Sequence, residues 1–199
     1  MSNGPIDNLP ETEQRALEAF TDAYRQRWDA AFGSVDMVAF GRAQRLIASA
    51  YETGATVFVC GNGGSAAIAN HLHCDHLKGI RSRTGLKPRV VSLCTAMPAI
   101  TAVANDTSYA EIFAYQLQSL ARPGDVLWAI SSSGNSANIV MAVEWAKEND
   151  IKVVGFTGFS GGRLAQDADV SIHVDAGEYE VVEDVHQSLA NILAQYIGR

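Results

Sequence analysis

The sequence has no long hydrophobic run and no signal-like start. No stretch of its 199 residues approaches the roughly 18 apolar residues of a membrane span, so we expect no transmembrane helix. The N-terminus, Met-Ser-Asn-Gly-Pro-Ile-Asp, lacks both the basic residues and the apolar run of a signal peptide. We therefore expect a cytoplasmic protein.

Positive charge is also scarce. The 15 lysines and arginines are outnumbered by 22 aspartates and glutamates, which gives a net charge of −7 and a pI of about 5.1. Nucleic acids and anionic membranes need a basic face on the protein, so we predict neither as a partner. A small phosphate remains compatible with this charge, because a loop can bind it through backbone N–H groups alone.

Cysteine is rare and unpaired in the sequence. Cys60, Cys74 and Cys94 form no C-x-x-C motif, which argues against a structural zinc site built from cysteines. An odd number of cysteines indicates free thiols in a reducing cytosol. A chain of this length with 47% hydrophobic residues can fold around an ordinary core without disulfides.

Two helical patterns open the chain. Apolar residues at steps of three and four predict a helix over about 11–32, and Ser34 is the expected N-cap of a second helix that ends near residue 51. We predict that residues 1–54 form a helical pair for packing or oligomerisation and that residues 55–199 form the ligand-binding domain. The two parts are expected to make one structural unit.

From residue 55 onward, short buried strands alternate with helical patterns. This alternation predicts an α/β fold in which a parallel sheet carries helices on both faces. Ser108 and Glu111 have the spacing of a capping box and predict a helix over about 108–121. The predicted strands are Thr56–Cys60, Arg89–Leu93, Val126–Ile130, Lys152–Phe156 and Val170–Val174.

Two loops that follow predicted strands indicate where a ligand binds. They read Cys60-Gly-Asn-Gly-Gly-Ser65 and Ser131-Ser-Ser-Gly-Asn-Ser136. Glycine lets a ligand approach the backbone, free N–H groups at a helix start hold anions, and serine hydroxyls donate to phosphate oxygens. Since ligands bind at the carboxyl ends of parallel strands, the two loops predict one anion pocket. The alternative is a pair of simple strand-to-helix turns with serine caps.

The first loop also fits a dinucleotide-binding fingerprint, G-x-G-x-x-A, from Gly61 to Ala66. A nicotinamide site needs an acidic residue at the end of the next strand, where it binds the ribose hydroxyls. That strand ends Val-Val-Ser-Leu-Cys94 and contains no acid. We therefore rank a nicotinamide-dependent oxidoreductase below a phosphate-binding protein.

At these loops the sequence resembles the sugar isomerase (SIS) domain family and, within it, the phosphoheptose isomerases. The similarity covers nearly the whole chain, including the N-terminal helix pair. It implies a three-layer α/β sandwich in which helices flank a five-stranded parallel sheet. The matching segments are Gly61–Ser65, Ala104–Asp106, Gly124–Leu127, Ile130–Asn138 and Gly158–Gly162.

The resemblance implies a sugar phosphate as ligand and a homotetramer with sites shared between subunits. These isomerases interconvert sedoheptulose 7-phosphate and D-glycero-D-manno-heptose 7-phosphate. A proton moves between C1 and C2 through an enediol, often with zinc in the site. The residues that would bind the phosphate and the sugar are Asn62, Gly63, Gly64, Ser65, Asn105, Asp106, Ser131, Ser132, Ser133 and Ser136.

The helix after the first loop carries one group of catalytic candidates. His71 and Asp75 are four residues apart and share a helical face. The family has a histidine and a glutamate there, so the resemblance implies that both bind metal and that Asp75 also moves the proton. The segment up to Gly79 is one residue longer than in the family. A shifted register would bring His76 into the pocket instead, and both arrangements stay open.

The last predicted helix, about Val181–Ile197, carries a second group. Glu183 stands where the family has a glutamine metal ligand, and we take it as a third metal ligand and, together with His186, as a catalytic candidate. Asn191 stands where the family has its second catalytic histidine. Because asparagine cannot exchange a proton near neutral pH, either another group supplies the second acid or base, or isomerase activity is lost.

The chain also has one basic segment, residues 78–89. Its basic residues are Lys78, Arg81, Arg83, Lys87 and Arg89. In an acidic protein such a cluster can steer a phosphorylated substrate towards its site. The alternative is an ordinary solvated loop.

Two functions are consistent with these observations. The first is an aldose–ketose isomerase of a phosphorylated sugar, with zinc as its expected cofactor. The second is a non-catalytic SIS protein that binds a sugar phosphate as a regulatory ligand or acts as a scaffold. It would resemble DnaA initiator-associating protein, a family member that is similar to the isomerases but lacks their catalytic residues. Asn191 favours the second function, whereas His71, Asp75 and Glu183 favour the first.

Overall fold

Five strands form one parallel sheet in residues 10–199, the part of the chain that the computed structural model describes. All five predicted strands are confirmed, and none of their bounds shifts by more than one residue. The strand order is β2-β1-β3-β4-β5, with every neighbouring pair parallel. The strands are β1 (Thr56–Gly61), β2 (Arg89–Ser92), β3 (Val126–Ser131), β4 (Lys152–Thr157) and β5 (Val170–His173).

Helices cover both faces of this sheet, so the predicted three-layer α/β architecture is confirmed. Helices α1, α2, α3 and α9 pack on one face, and α5 to α8 pack on the other. The core is mainly apolar, and Phe58, Trp128 and Phe156 from the central strands are fully buried. The helices are α1 (Glu11–Gly33), α2 (Met37–Thr53), α3 (Gly64–Cys74), the short α4 (Arg81–Arg83), α5 (Met97–Asp106), α6 (Ala114–Leu120), α7 (Ala137–Glu148), α8 (Gly162–Asp167) and α9 (Tyr179–Ile197).

Both N-terminal helices are present, but the second one begins later than predicted. Asp36, not Ser34, is its N-cap: the carboxylate accepts hydrogen bonds from the backbone N–H groups of Val38 and Ala39. Ser34 instead donates its hydroxyl hydrogen to the carbonyl of Ala31, at 2.6 Å, and so belongs to the end of α1. Both residue types cap helices well, so local sequence alone did not separate them.

The predicted helix over 108–121 is wrong in its first half. The hydroxyl of Ser108 donates to the carboxylate of Glu111, at 3.1 Å, and caps no backbone N–H. A short 3-10 turn over Tyr109–Glu111 follows, and the α-helix begins only at Ala114. Capping-box spacing is therefore met here by a side-chain pair within a turn.

The sheet order fixes where a ligand can bind. The chain passes from β1 outwards to β2 and then returns to β3 on the other side of β1. Such a reversal opens a crevice at the carboxyl ends of the two central strands, which is where open α/β sheets bind ligands. The loops after β1 and β3, which the sequence marked for anion binding, meet at this point. No helix within residues 10–199 has the length and apolar character to cross a bilayer.

Candidate functional site

A cavity of about 100 Å³ lies at the reversal between β1 and β3. We call it the serine cavity. It joins the loop after β1, the loop after β3 and the first turns of α9, so residues far apart in sequence meet there. Its lining residues are Asn62, Ser65, Ser131, Ser132, Ser133, Ser136, Tyr179 and Glu183.

The serine hydroxyls are largely free for a ligand. Ser132 is buried, yet its hydroxyl has no hydrogen-bond partner within the described chain. Ser136 begins α7 and makes no side-chain cap. Buried hydroxyls are normally hydrogen-bonded, so an orphan that lines a cavity indicates a missing ligand or water. The helix starts of α3 and α7 add unpaired backbone N–H groups, which attract anions.

Asn62 holds the two loops together. Its side-chain amide exchanges hydrogen bonds with that of Asn138, at 2.9 and 2.8 Å, and its oxygen also accepts from the hydroxyl of Tyr109, at 2.9 Å. Sequence reasoning quoted Asn138 in a motif but gave it no role, and it missed Tyr109 and Tyr179. The signal for Asn138 was present, because a polar residue in the first turn of a buried helix needs a partner.

Asn105 and Asp106 are not among the residues that line the serine cavity. They end α5, are exposed, and bond to each other, with the Asn105 amide donating to the Asp106 carboxylate at 2.8 Å. The backbone of Gly63 has a φ of 53°, a left-handed value that favours glycine and lets the loop turn into α3. The predicted roles of these three residues in sugar binding stay predictions.

Glu183 reaches the serine cavity because position 64 is glycine. Its carboxylate occupies the space that a Cβ of Gly64 would fill. Partial burial, with smaller contributions from the negative charges of Glu180 and Asp184, raises the pKa of Glu183. The protonated form of this side chain is therefore more populated than for an exposed glutamate, and it can donate a hydrogen bond.

A second cavity, of about 240 Å³, lies further along α3 and α9. We call it the histidine cavity. His71 Nε2 is 3.2 Å from Asp75 Oδ2, and both side chains are partly exposed. Asn191 lies on the α9 side, where its oxygen accepts from the amide of Gln187 at 2.9 Å. The lining residues are His71, Asp75, Gly79, Arg83, Asn191, Ala194 and Gln195.

The structure decides between Asp75 and His76. A π-helix over Asp75–Ile80 continues α3, and the wider π-turn accommodates the extra residue that the resemblance indicated. The side chain of His76 points into the core, where the hydroxyl of Tyr51 lies 2.6 Å from the Nδ1 of His76. Burial lowers the pKa of His76 to about 3. Asp75 therefore faces the cavity and His76 does not.

The prediction that His186 is a catalytic group is wrong. Its side chain is fully buried beside Phe156, and its Nε2 pairs with the carbonyl of Thr157 at 3.1 Å. Burial lowers its pKa to about 4, so it is neutral at physiological pH. A residue on the inner face of α9 cannot exchange protons with a ligand in either cavity.

The side chains of residues 10–199 do not by themselves complete a zinc site. A zinc ion takes four ligands, of which three come from protein in catalytic sites. His71 and Asp75 are adjacent in the histidine cavity, but Glu183 lines the serine cavity instead. The side chain of α9 that faces His71 and Asp75 across the histidine cavity is Asn191, a poor zinc ligand. Within residues 10–199, no three His, Cys, Asp or Glu side chains gather as a metal centre. Zinc stays a prediction.

Comparison with known proteins assigns the family. The family model described as "SIS domain" matches residues 19–158. The chain belongs to the SIS domain family. This match spans both loops of the serine cavity and most of the sheet.

The relatives of this SIS domain are named isomerases. It is 35% identical to the phosphoheptose isomerase of Shewanella sp. (strain ANA-3), over 94% of either chain. It is 38% identical to that of Rhodospirillum rubrum, over 78% of this chain and 82% of the relative. Its fold matches the structure of phosphoheptose isomerase GmhA from Neisseria gonorrhoeae with a TM-score of 0.83, at 30% identity, over 92% of this chain and 97% of that one.

Proposed function

We propose that this SIS domain is an aldose–ketose isomerase that interconverts sedoheptulose 7-phosphate and D-glycero-D-manno-heptose 7-phosphate. The serine cavity carries the proposal: a buried hydroxyl without a partner in the described chain, five further polar loop side chains and two helix starts meet at one point. Relatives that share most of the chain's length are named phosphoheptose isomerases, which does not favour the non-catalytic alternative.

The serine cavity would bind the phosphate. Serine hydroxyls and helix N–H groups donate to its oxygens without any cationic side chain. Glu183 lines the same cavity, and its raised pKa increases the fraction of this side chain that is protonated beside an anion. In that form it donates a hydrogen bond to the ligand and does not repel it.

The carbon chain of the sugar would then run towards the histidine cavity. Gly64, His71 and Asp75 lie on one face of α3, and at 1.5 Å per residue His71 is about 10 Å beyond Gly64. That is the order of length of an open-chain heptose phosphate. Asp75 would take a proton from C1 and return it to C2, which is the work of a general base and acid, while the proton of the C1 hydroxyl passes to the C2 oxygen within the enediolate. His71, at 3.2 Å from the carboxylate, orients it.

The test is proton NMR of the purified protein with sedoheptulose 7-phosphate in D₂O. We expect aldose signals to appear and solvent deuterium to enter at C2, because an enediol exchanges its carbon-bound proton with the solvent. Line broadening of the sugar without any product would instead support a binding protein. The same assay with and without added zinc would show whether the metal contributes.

We also propose that the protein acts in the cytoplasm as a homotetramer with sites shared between subunits. Exposed apolar side chains on the N-terminal helices support an interface there: Leu17 and Phe20 on α1, and Met37 and Val38 on α2. Light scattering coupled to gel filtration would measure the mass. A monomeric mass at assay concentration would contradict this proposal.

A further inference from the structure

The histidine cavity contains a cation that the resemblance did not assign. Four residues that line it are spaced by four along the chain: His71, Asp75, Gly79 and Arg83. Twelve residues of an α-helix turn through about 1200°, which would leave residue 83 about 120° round the helix from residue 71. A regular α-helix would therefore not bring both side chains to one cavity.

The π-helix over Asp75–Ile80 removes this divergence. Its i to i+5 hydrogen bonds add one residue to a turn, so the chain beyond it lags by about 100° relative to an α-helix. The short helix Arg81–Arg83 follows directly. The extra residue thus has a structural consequence beyond burying His76, because it places Arg83 on the same side as the His71–Asp75 pair.

The guanidinium group of Arg83 is available for a ligand. Its aliphatic stem packs at the end of α9, since a Cβ at Gly198 would lie 3.5 Å from its Cδ. In residues 10–199 it forms no salt bridge, whereas Arg163 pairs with both Glu144 and Asp167. An arginine held by its stem beside an open cavity presents its charge and five N–H donors to whatever enters.

The proposed reaction needs a positive charge at this place. Removing a proton from C1 of the ketose moves an electron pair onto the C2 oxygen, and the negative charge of this enediolate grows in the transition state. The neighbouring groups on α9 are neutral amides, Asn191 and Gln195. In many enzymes, hydrogen-bond donors fixed near the developing charge make the largest contribution to stabilising the transition state.

We infer that Arg83 is a catalytic residue that stabilises the enediolate electrostatically, in the cavity where this chain has Asn191. This inference rests on the proposed isomerase function. Asp75 moves the carbon-bound proton, His71 orients Asp75, and Arg83 holds the oxygen on which the charge collects.

The experiment compares Arg83→Gln with Arg81→Gln. Arg81 is exposed, lies two residues away in the same basic segment, and does not line the cavity. We expect kcat to fall about 10²- to 10³-fold in Arg83→Gln with a small change in KM, and to stay near wild type in Arg81→Gln. Arg83→Lys should recover part of the loss, and guanidinium ion should partly rescue Arg83→Ala.

Binding of a transition-state mimic gives a second readout. A hydroxamate of a sugar phosphate carries an enediolate-like oxygen pair, whereas the corresponding reduced sugar alcohol does not. Arg83→Gln should weaken binding of the hydroxamate by the same factor as it lowers kcat, and should weaken binding of the sugar alcohol far less. Equal kcat in the two glutamine variants, or equal weakening of the two ligands, would overturn the role of Arg83. A wild-type protein without turnover would overturn the isomerase function itself, and this role with it.

Discussion

The two cavities along α3 differ in what makes them. The serine cavity is formed mainly by backbone: a glycine-rich loop and the first turns of two helices. Serine hydroxyls, which can rotate to donate to an anion, complete it. The histidine cavity depends on side-chain identity and on one π-turn. The resemblance implies that the first keeps the loops of the family, whereas the second has Asp75 in place of a glutamate and Asn191 in place of a histidine. A change of one side chain therefore affects the second cavity more than the first.

The largest expected effect is a loss of kcat from a change in the histidine cavity. Asp75→Asn removes the only carboxylate that lines the histidine cavity within residues 10–199, and keeps the shape of the side chain. We expect kcat to fall about 10²- to 10⁴-fold, the usual contribution of a general acid–base group, with KM nearly unchanged because the serine cavity is untouched. Steady-state kinetics measures both, with the exposed Asp22→Asn as control. A normal kcat in Asp75→Asn would remove this residue from the mechanism.

A second effect concerns the core that supports the π-turn. Burial lowers the pKa of His76 to about 3 and that of His186 to about 4, well below the 6.5 of an unfolded histidine. Below pH 6.5 these two histidines become protonated in the unfolded chain but remain neutral in the folded chain. The stabilisation is full above pH 6.5, and each histidine lowers the free energy of unfolding by up to about 1.4 kcal/mol per pH unit as acid is added.

Urea unfolding between pH 6.5 and 5 measures this slope, in a range where most carboxylates remain ionised. His76→Gln keeps a partner for Tyr51 and cannot take up the proton, so it should lower the slope by about one proton. His71→Gln is the matched control, because His71 is half exposed. An unchanged slope in His76→Gln would show that His76 is not held neutral in the core.

A smaller effect tests the binding end. Ser132→Ala removes a buried hydroxyl that has no partner in the described chain. A hydrogen bond to a charged group contributes about 1.5–3 kcal/mol, so we expect KM to rise at least about tenfold with kcat little changed. Stability should stay level or rise, because an unsatisfied buried group is removed. Ser119→Ala, on the exposed side of α6, is the control. A loss of stability without a change in KM would mean that the Ser132 hydroxyl serves the fold.

Sequence reasoning succeeded where the chemistry is local. Strand bounds follow from apolar runs, and the loops after β1 and β3 follow from glycine and serine types, so the sheet and the serine cavity were both predicted. It was wrong for His186, since a polar residue on the inner face of a helix can be satisfied by a distant carbonyl, here that of Thr157. Nor could periodicity assign Arg83 to a site, because one π-turn changes which residues share a face.

The smallest expected effect distinguishes the role of Glu183 in the serine cavity from that of Asp75 in the histidine cavity. Glu183→Gln keeps the shape of the side chain beside Gly64 and restores the residue type that the family has there. Because ionised Glu183 repels a phosphate, wild-type KM should rise with pH through the raised pKa of Glu183, relative to the variant. We expect KM of the variant to be lower by a few-fold near neutral pH and kcat to be unchanged. Glu148→Gln, at the end of α7, is the control for a lost negative charge. If kcat instead fell as far as in Asp75→Asn, then Glu183 would be a proton-transfer group and the chemistry would extend across both cavities.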